Sequence, residues 1–237
     1  MANNIFKLFE TDPDARPKPR FTSDIVGRFR SGRLVGKMPE SLNEWRVTTG
    51  DPEVAAELAR LLGGEPEEWN TDREDNLEVL TTSKSVNIII ESSDKIDASM
   101  KLFSASGLFH HCDGVAYLSP EEDKGQACGC PESLQERKDK ARVGRGPKPS
   151  IDITFRLTDA PDLGLFRFNS GSWEFVKVLH ELIADVDAYD GPVRATLTIE
   201  HIEYTAKSGK DVAYNKPSVK VLGAYEAVGA DDIPKAA

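Results

Sequence analysis

Apolar residues change period along the chain, and the period separates helices from strands. Val54, Leu58, Leu61 and Leu62 fall on one helical stripe. Asp51 suits the N-cap, Pro52 suits the first turn, and Gly63-Gly64 ends the pattern, so a helix is predicted between them. Phe175, Val176, Leu179, Leu182, Ile183 and Val186 repeat that stripe after Ser172, until Gly191-Pro192 stops it. Elsewhere the apolar residues alternate or form short β-branched runs. Leu77, Val79 and Leu80 lead into one strand, and Val86–Ile90 is a second. Met100–Phe103 and Leu108–His111 read as arms of a hairpin turning at Ser106-Gly107. Ile151–Leu157, Gly164–Phe168, Val193–Thr205 and Val219–Leu222 complete the strands, with Lys207–Lys210 as a hairpin loop.

The pattern predicts an α+β fold, mostly antiparallel sheet with two main helices. No internal repeat interrupts it. Residues 1–134 read as an N-terminal α+β part and 151–228 as a β-rich part with one helix, packed with the first as one unit. Between them, 135–150 turns polar and basic (Arg137, Lys138, Lys140, Arg142, Arg145, Lys148). Gly144, Gly146, Pro147 and Pro149 break helix there, so a mobile loop or linker is expected. Residues 229–237 read as a disordered tail, and the Pro-rich run Asp12–Pro19 as neither helix nor central strand.

Charge adds an exclusion. The 237 residues carry 30 Lys+Arg against 40 Asp+Glu, a formal charge of −10, which is wrong for a bulk electrostatic DNA binder. The acids and bases are unevenly spread. Arg16–Lys37 holds seven basic residues and one acid, whereas Asp51–Glu78 holds ten acids against Arg60 and Arg73. The basic segment and the Arg137–Lys148 loop are candidate contact surfaces, set against ordinary solvated charge. No apolar run approaches the length of a membrane helix, and the N-terminus lacks signal-peptide order. With three clustered cysteines, this points to a reducing cytoplasm rather than a disulfide scaffold.

Those cysteines are the densest chemistry in the chain. His110-His111-Cys112 is followed, after fifteen residues, by Cys128-Gly129-Cys130. Thiolates and imidazoles are preferred zinc ligands, and structural zinc takes four. If Leu108–Cys112 is extended, His110 and Cys112 share a face and His111 points away. The predicted zinc ligands are therefore His110, Cys112, Cys128 and Cys130, with the glycine permitting the tight Cys-Gly-Cys turn. The metal would hold an acidic loop (Glu121, Glu122, Asp123) that has little to pack. The alternative is three surface thiols with incidental histidines.

Catalytic templates are absent: there is no H-E-x-x-H, deaminase zinc pattern, Walker A, G-x-G-x-x-G or G-x-S-x-G. His180 and His201 read as surface or structural histidines, Glu67-Glu68 and Glu121-Glu122 as solvated loops. Trp45, Trp69 and Trp173 read as core or hinge packing. The expectation is a protein that is not an enzyme.

The opening Asn4–Pro17 (NIFKLFETDPDARP), Val26–Arg33 (VGRFRSGR) and Glu44–Ala55 (EWRVTTGDPEVA) resemble the recombination directionality factors of Streptomyces temperate phages, the accessory proteins of large serine integrases. Cys112-Asp113-Gly114 and Cys128–Pro131 extend the likeness over most of the chain. The resemblance implies a protein that binds its cognate phage integrase near its coiled-coil projection. It would switch that integrase from attP × attB integration to attL × attR prophage excision, in the cytoplasm of the bacterial host. It implies no bond chemistry, no sequence-specific DNA reading, no membrane and no small-molecule substrate. A single-stranded nucleic-acid-binding or replication accessory protein is the competing reading. A zinc-dependent hydrolase is a third, and it needs an open metal position and a base.

Overall fold

The computed structural model describes residues 24–36, 38–205, 209 and 211–226. The Pro-rich run Asp12–Pro19, the basic residues Arg16, Lys18, Arg20 and Lys37, most of the Lys207–Lys210 loop and the 229–237 tail lie outside them.

Among the described residues, twelve strands form one branched sheet. They are β1 (Ile25–Val35), β2 (Met38–Thr49), β3 (Pro66–Glu68), β4 (Leu77–Leu80), β5 (Ser85–Ile90), β6 (Ile96–Ser104), β7 (Gly107–Cys112), β8 (Tyr117–Ser119), β9 (Lys148–Leu157), β10 (Leu165–Ser170), β11 (Val193–Thr205) and β12 (Asp211–Ala224). The main path runs β12-β11-β5-β9-β10-β1-β2-β4-β3. Strand β9 is the branch point. Its C-terminal end pairs with β5 at Ile88↔Leu157, and its N-terminal half pairs with β6 from Lys148 to Ile153. Strands from 1–134 and 151–228 thus interleave in one sheet. The sheet is mixed: β1 and β10 run parallel, in register at Arg28↔Arg167 and Phe29↔Phe168.

The three described helices are α1 (Pro52–Leu62), α2 (Leu134–Arg142) and α3 (Trp173–Asp187). In α1 the Asp51 carboxylate accepts from the Glu53 and Val54 amides, and in α3 the Ser172 hydroxyl accepts from Phe175 N. Both helices bury their stripes against the sheet. Val54, Ala55, Leu58, Phe175, Leu182 and Val186 join strand residues in one core. Its centre is aromatic. Phe29 meets Trp45, Phe155 and Phe166 with ring centroids 5.8, 5.4 and 5.7 Å apart. Residues next to these along each strand, including Arg28, Arg30, Arg46, Arg167 and Asn169, alternate to the opposite face of the sheet.

Both expected main helices are present, and a third, short helix falls almost wholly within the stretch read as a loop or linker. Residues 134–142 form α2, and β9 begins at Lys148. The glycines and prolines thought to break helix lie beyond its end. Gly144, at φ 72°, occupies a left-handed position there, where glycine terminates helices rather than destroying them. The helix buries only Ala141, so its sequence carries no apolar stripe to signal it. The periodicity also missed β1 and β2, because their Arg, Ser and Gly residues dilute the alternation.

Candidate metal centre

Strand β6 leaves the main sheet and carries β7 and β8 with it as a small lobe. The β6–β7 hairpin turns near Ser106-Gly107, with Leu102 opposite His110 and Met100 opposite Cys112. Because β7 is extended, His110 and Cys112 lie on one face. His110 Nε2 stands 3.1 Å from Cys112 Sγ. His111 turns away, with Nδ1 2.9 Å from Ser119 Oγ on β8.

The loop after β7 folds back to bring the other thiols in. The Asp113 carboxylate accepts from the Val115 and Ala116 amides, each at 2.7 Å. These bonds hold that carboxyl below its usual range, Ala116 contributing most. Cys128 N donates to Val115 O at 2.9 Å. Gly129 then turns with φ 68°, a region that disfavours a side chain, so Cys128 and Cys130 face the same point. Cys130 Sγ lies 3.8 Å from Cys112 Sγ and 3.5 Å from His110 Nε2. All four donor atoms, from His110, Cys112, Cys128 and Cys130, lie within 4.8 Å of one another.

Helix α2 clamps this arrangement. The Arg137 guanidinium donates to Gly114 O at 2.7 Å and also to Pro131 O, tying the two ligand-bearing turns together. Met100 is buried beside Cys112 and Cys128, while Tyr117, Cys130 and Trp173 pack around them. The Tyr117 and His110 rings are 4.9 Å apart. Sequence reasoning missed the clamping role of Arg137, because it read that stretch as mobile, whereas Trp173, expected to pack in a core or hinge, does pack against this cluster.

Burial and close packing set the ionisation of the cluster. Burial pushes the Cys112 thiol up to about 12 and raises Cys130 as well. Burial also opposes the Cys128 thiolate, but the Cys130 amide and the neighbouring thiols outweigh it and bring that group below its ordinary value. Burial, then the nearby His111, lower His110, keeping the imidazole in its neutral, metal-binding form. Three thiols this close ionise together only when a positive ion offsets their repulsion.

The other sequence candidates do not converge. His180 is exposed on α3. His201 is exposed on β11, hydrogen-bonded to Asn215 and Glu203. Glu67-Glu68 and Glu121-Glu122 are exposed, and Trp45 is fully buried in the core. No described helix is long and apolar enough to cross a membrane.

No solved structure matches the chain. A protein-family model, Gp3-like and described as recombination directionality factor-like, matches residues 26–222. That span takes in both arms of the sheet, all three helices and all four cluster residues, and the chain therefore belongs to the Gp3-like, recombination directionality factor-like family.

Proposed function

We propose that the protein binds the large serine integrase of its own phage in the bacterial cytoplasm and switches it from attP × attB integration to attL × attR excision. The family match over residues 26–222 is the observation that carries this reading. The protein acts by binding alone, and the serine nucleophile belongs to the integrase. A partner that prefers one integrase conformation shifts the equilibrium by its difference in affinity. About 5.5 kcal/mol turns a 1:99 equilibrium into 99:1, a difference within reach of one protein interface.

In the same reading, His110, Cys112, Cys128 and Cys130 hold one structural zinc. Their donor set is one that zinc prefers. The 3.8 Å Cys112–Cys130 sulfur separation fits the edge of a zinc–thiolate tetrahedron, about 3.8 Å for bonds of about 2.3 Å. Four protein ligands leave no open position for a reacting water, so the metal fixes a shape rather than supplying a nucleophile.

The test is recombination with purified components. Protein added to the cognate integrase is expected to start attL × attR recombination and suppress attP × attB. No effect on either reaction at saturating protein would overturn the reading. Binding to unrelated single-stranded DNA without integrase would put the nucleic-acid alternative in its place.

A further inference from the structure

On the sheet face opposite the core, the strands assemble arginines that are scattered in sequence. Arg28 and Arg30 on β1, Arg46 on β2 and Arg167 on β10 alternate with core residues, and Arg73 arrives from the loop before β4. Two adjoining cavities of about 410 and 890 Å³ open on this face and share Arg30, Gly32 and Arg73. Six arginines line them, Arg33 being the sixth, against Glu40, Glu78 and Asp152, with Asp75 bound to Arg28 and Arg30. The groove is thus locally cationic on a chain whose net charge is −10.

Some of these charges are internally satisfied. Arg46 pairs with Glu78 under the Trp69 ring, 4.5 Å from its centroid, and Arg30 donates to Asp75 at 3.0 Å. Two are not. Arg73 and Arg167 make no ion pair among the described residues, and Arg167 Nε is buried without a hydrogen-bond partner there. Arg167 also sits in register with Arg28 on the paired strand. Arg28 is held by Asp75, whereas the unmet buried donor of Arg167 costs stability unless something else binds it. At the far end the β1–β2 hairpin exposes Leu34 (71%) and Met38 (72%), with Val35 between them in sequence.

We propose that this groove docks an acidic, amphipathic segment of a protein partner, its carboxylates on Arg73 and Arg167 and its apolar side chains against Trp69 and the exposed Leu34 and Met38. The inference rests on the reading that the protein works by binding a protein. Arginine and tryptophan are the side chains that dominate binding hot spots, and guanidinium forks match carboxylates in pairs. The mosaic discriminates against DNA. A duplex presents one phosphate charge per about 1.7 Å of axis and would meet Glu40, Glu78 and Asp152 among the arginines. A peptide with spaced carboxylates avoids them.

The experiment uses the full chain and a fluorescein-labelled amphipathic peptide of Leu and Glu, with a Leu and Lys counterpart and an oligothymidylate as competitor. The acidic peptide should bind, more weakly as salt rises, and the basic one should not. Arg73→Glu, at an exposed position, should lower the affinity about tenfold or more. Arg167→Gln should lower it too, with unfolding temperatures confirming that both variants fold. Failure of the acidic peptide to bind, unchanged binding by Arg73→Glu, or stronger competition from oligothymidylate overturns the proposal. The same variants are then assayed with integrase. If wild-type protein switches recombination and Arg73→Glu switches it equally, the groove assignment falls and the functional reading stands. If wild-type protein leaves integrase unchanged, that reading falls and the peptide result alone decides the groove.

Discussion

The main sheet and the β6–β8 lobe solve the same problem with different materials. Twenty-five buried hydrophobic residues form the main core, and two amphipathic helices lie against it. The cluster in the lobe holds three, Met100, Cys112 and Cys128, and two of these are cysteines. Its helix α2 contributes only Ala141 to burial and is held instead by the hydrogen bonds of Arg137. Apolar burial fixes a region when there is enough of it to offset chain entropy. Where there is not, directional chemistry takes over, here a four-donor cluster and a guanidinium clamp. Perturbing one region should therefore leave the other largely intact.

The largest effect is expected in the core. Phe155→Ala removes a fully buried ring that touches Phe29 and Phe166, and should cost about 3–5 kcal/mol in denaturant unfolding while leaving the cysteine cluster competent. The complementary experiment strikes the lobe. Cys128→Ser with Cys130→Ser should abolish metal retention and lower amide-exchange protection in β7 and β8 about tenfold or more. Protection in β5, β9 and β11 should not change. Equal loss in both regions would break the distinction.

Smaller effects sharpen it. Burial pushes the Asp75 carboxyl up, but the Thr48 hydroxyl, at 2.7 Å, and the Arg30 and Arg28 guanidiniums outweigh it and hold it below the usual range. Asp75→Asn should cost about 2 kcal/mol at neutral pH. Because the folded-state value is depressed, the wild-type advantage is present above the unfolded-state value and disappears as pH falls through the folded one. Unfolding measured across that acidic range should show the two proteins converging. Least of all, Asp51→Ala removes the α1 cap and should cost about 1 kcal/mol in the same assay, without affecting the lobe.

The two regions also differed in what their sequences disclosed. Helices α1 and α3 and strand β5 were legible because burial imposes a period on their apolar residues. The expected hairpin arms fall within β6 and β7. The cluster was legible for another reason: cysteine is rare in this chain, and the alternation of an extended segment separates His110 from His111. Helix α2 was not, since a polar helix held mainly by hydrogen bonds and ion pairs has no apolar period to read. Nor was the arginine groove, because Arg28, Arg73 and Arg167 become neighbours only through the parallel β1–β10 pairing and the loop before β4. Local patterns encode elements, but a site assembled by long-range strand order has no local pattern.

The most direct test of the two-region account is metal content paired with hydrogen exchange on the protein purified from zinc-replete cells. One zinc per chain is predicted, with its removal by a chelator loosening β7, β8 and α2 while the main sheet keeps its protection. Protein that holds no stoichiometric metal, has all three thiols freely reactive and keeps the lobe fully protected would contradict it.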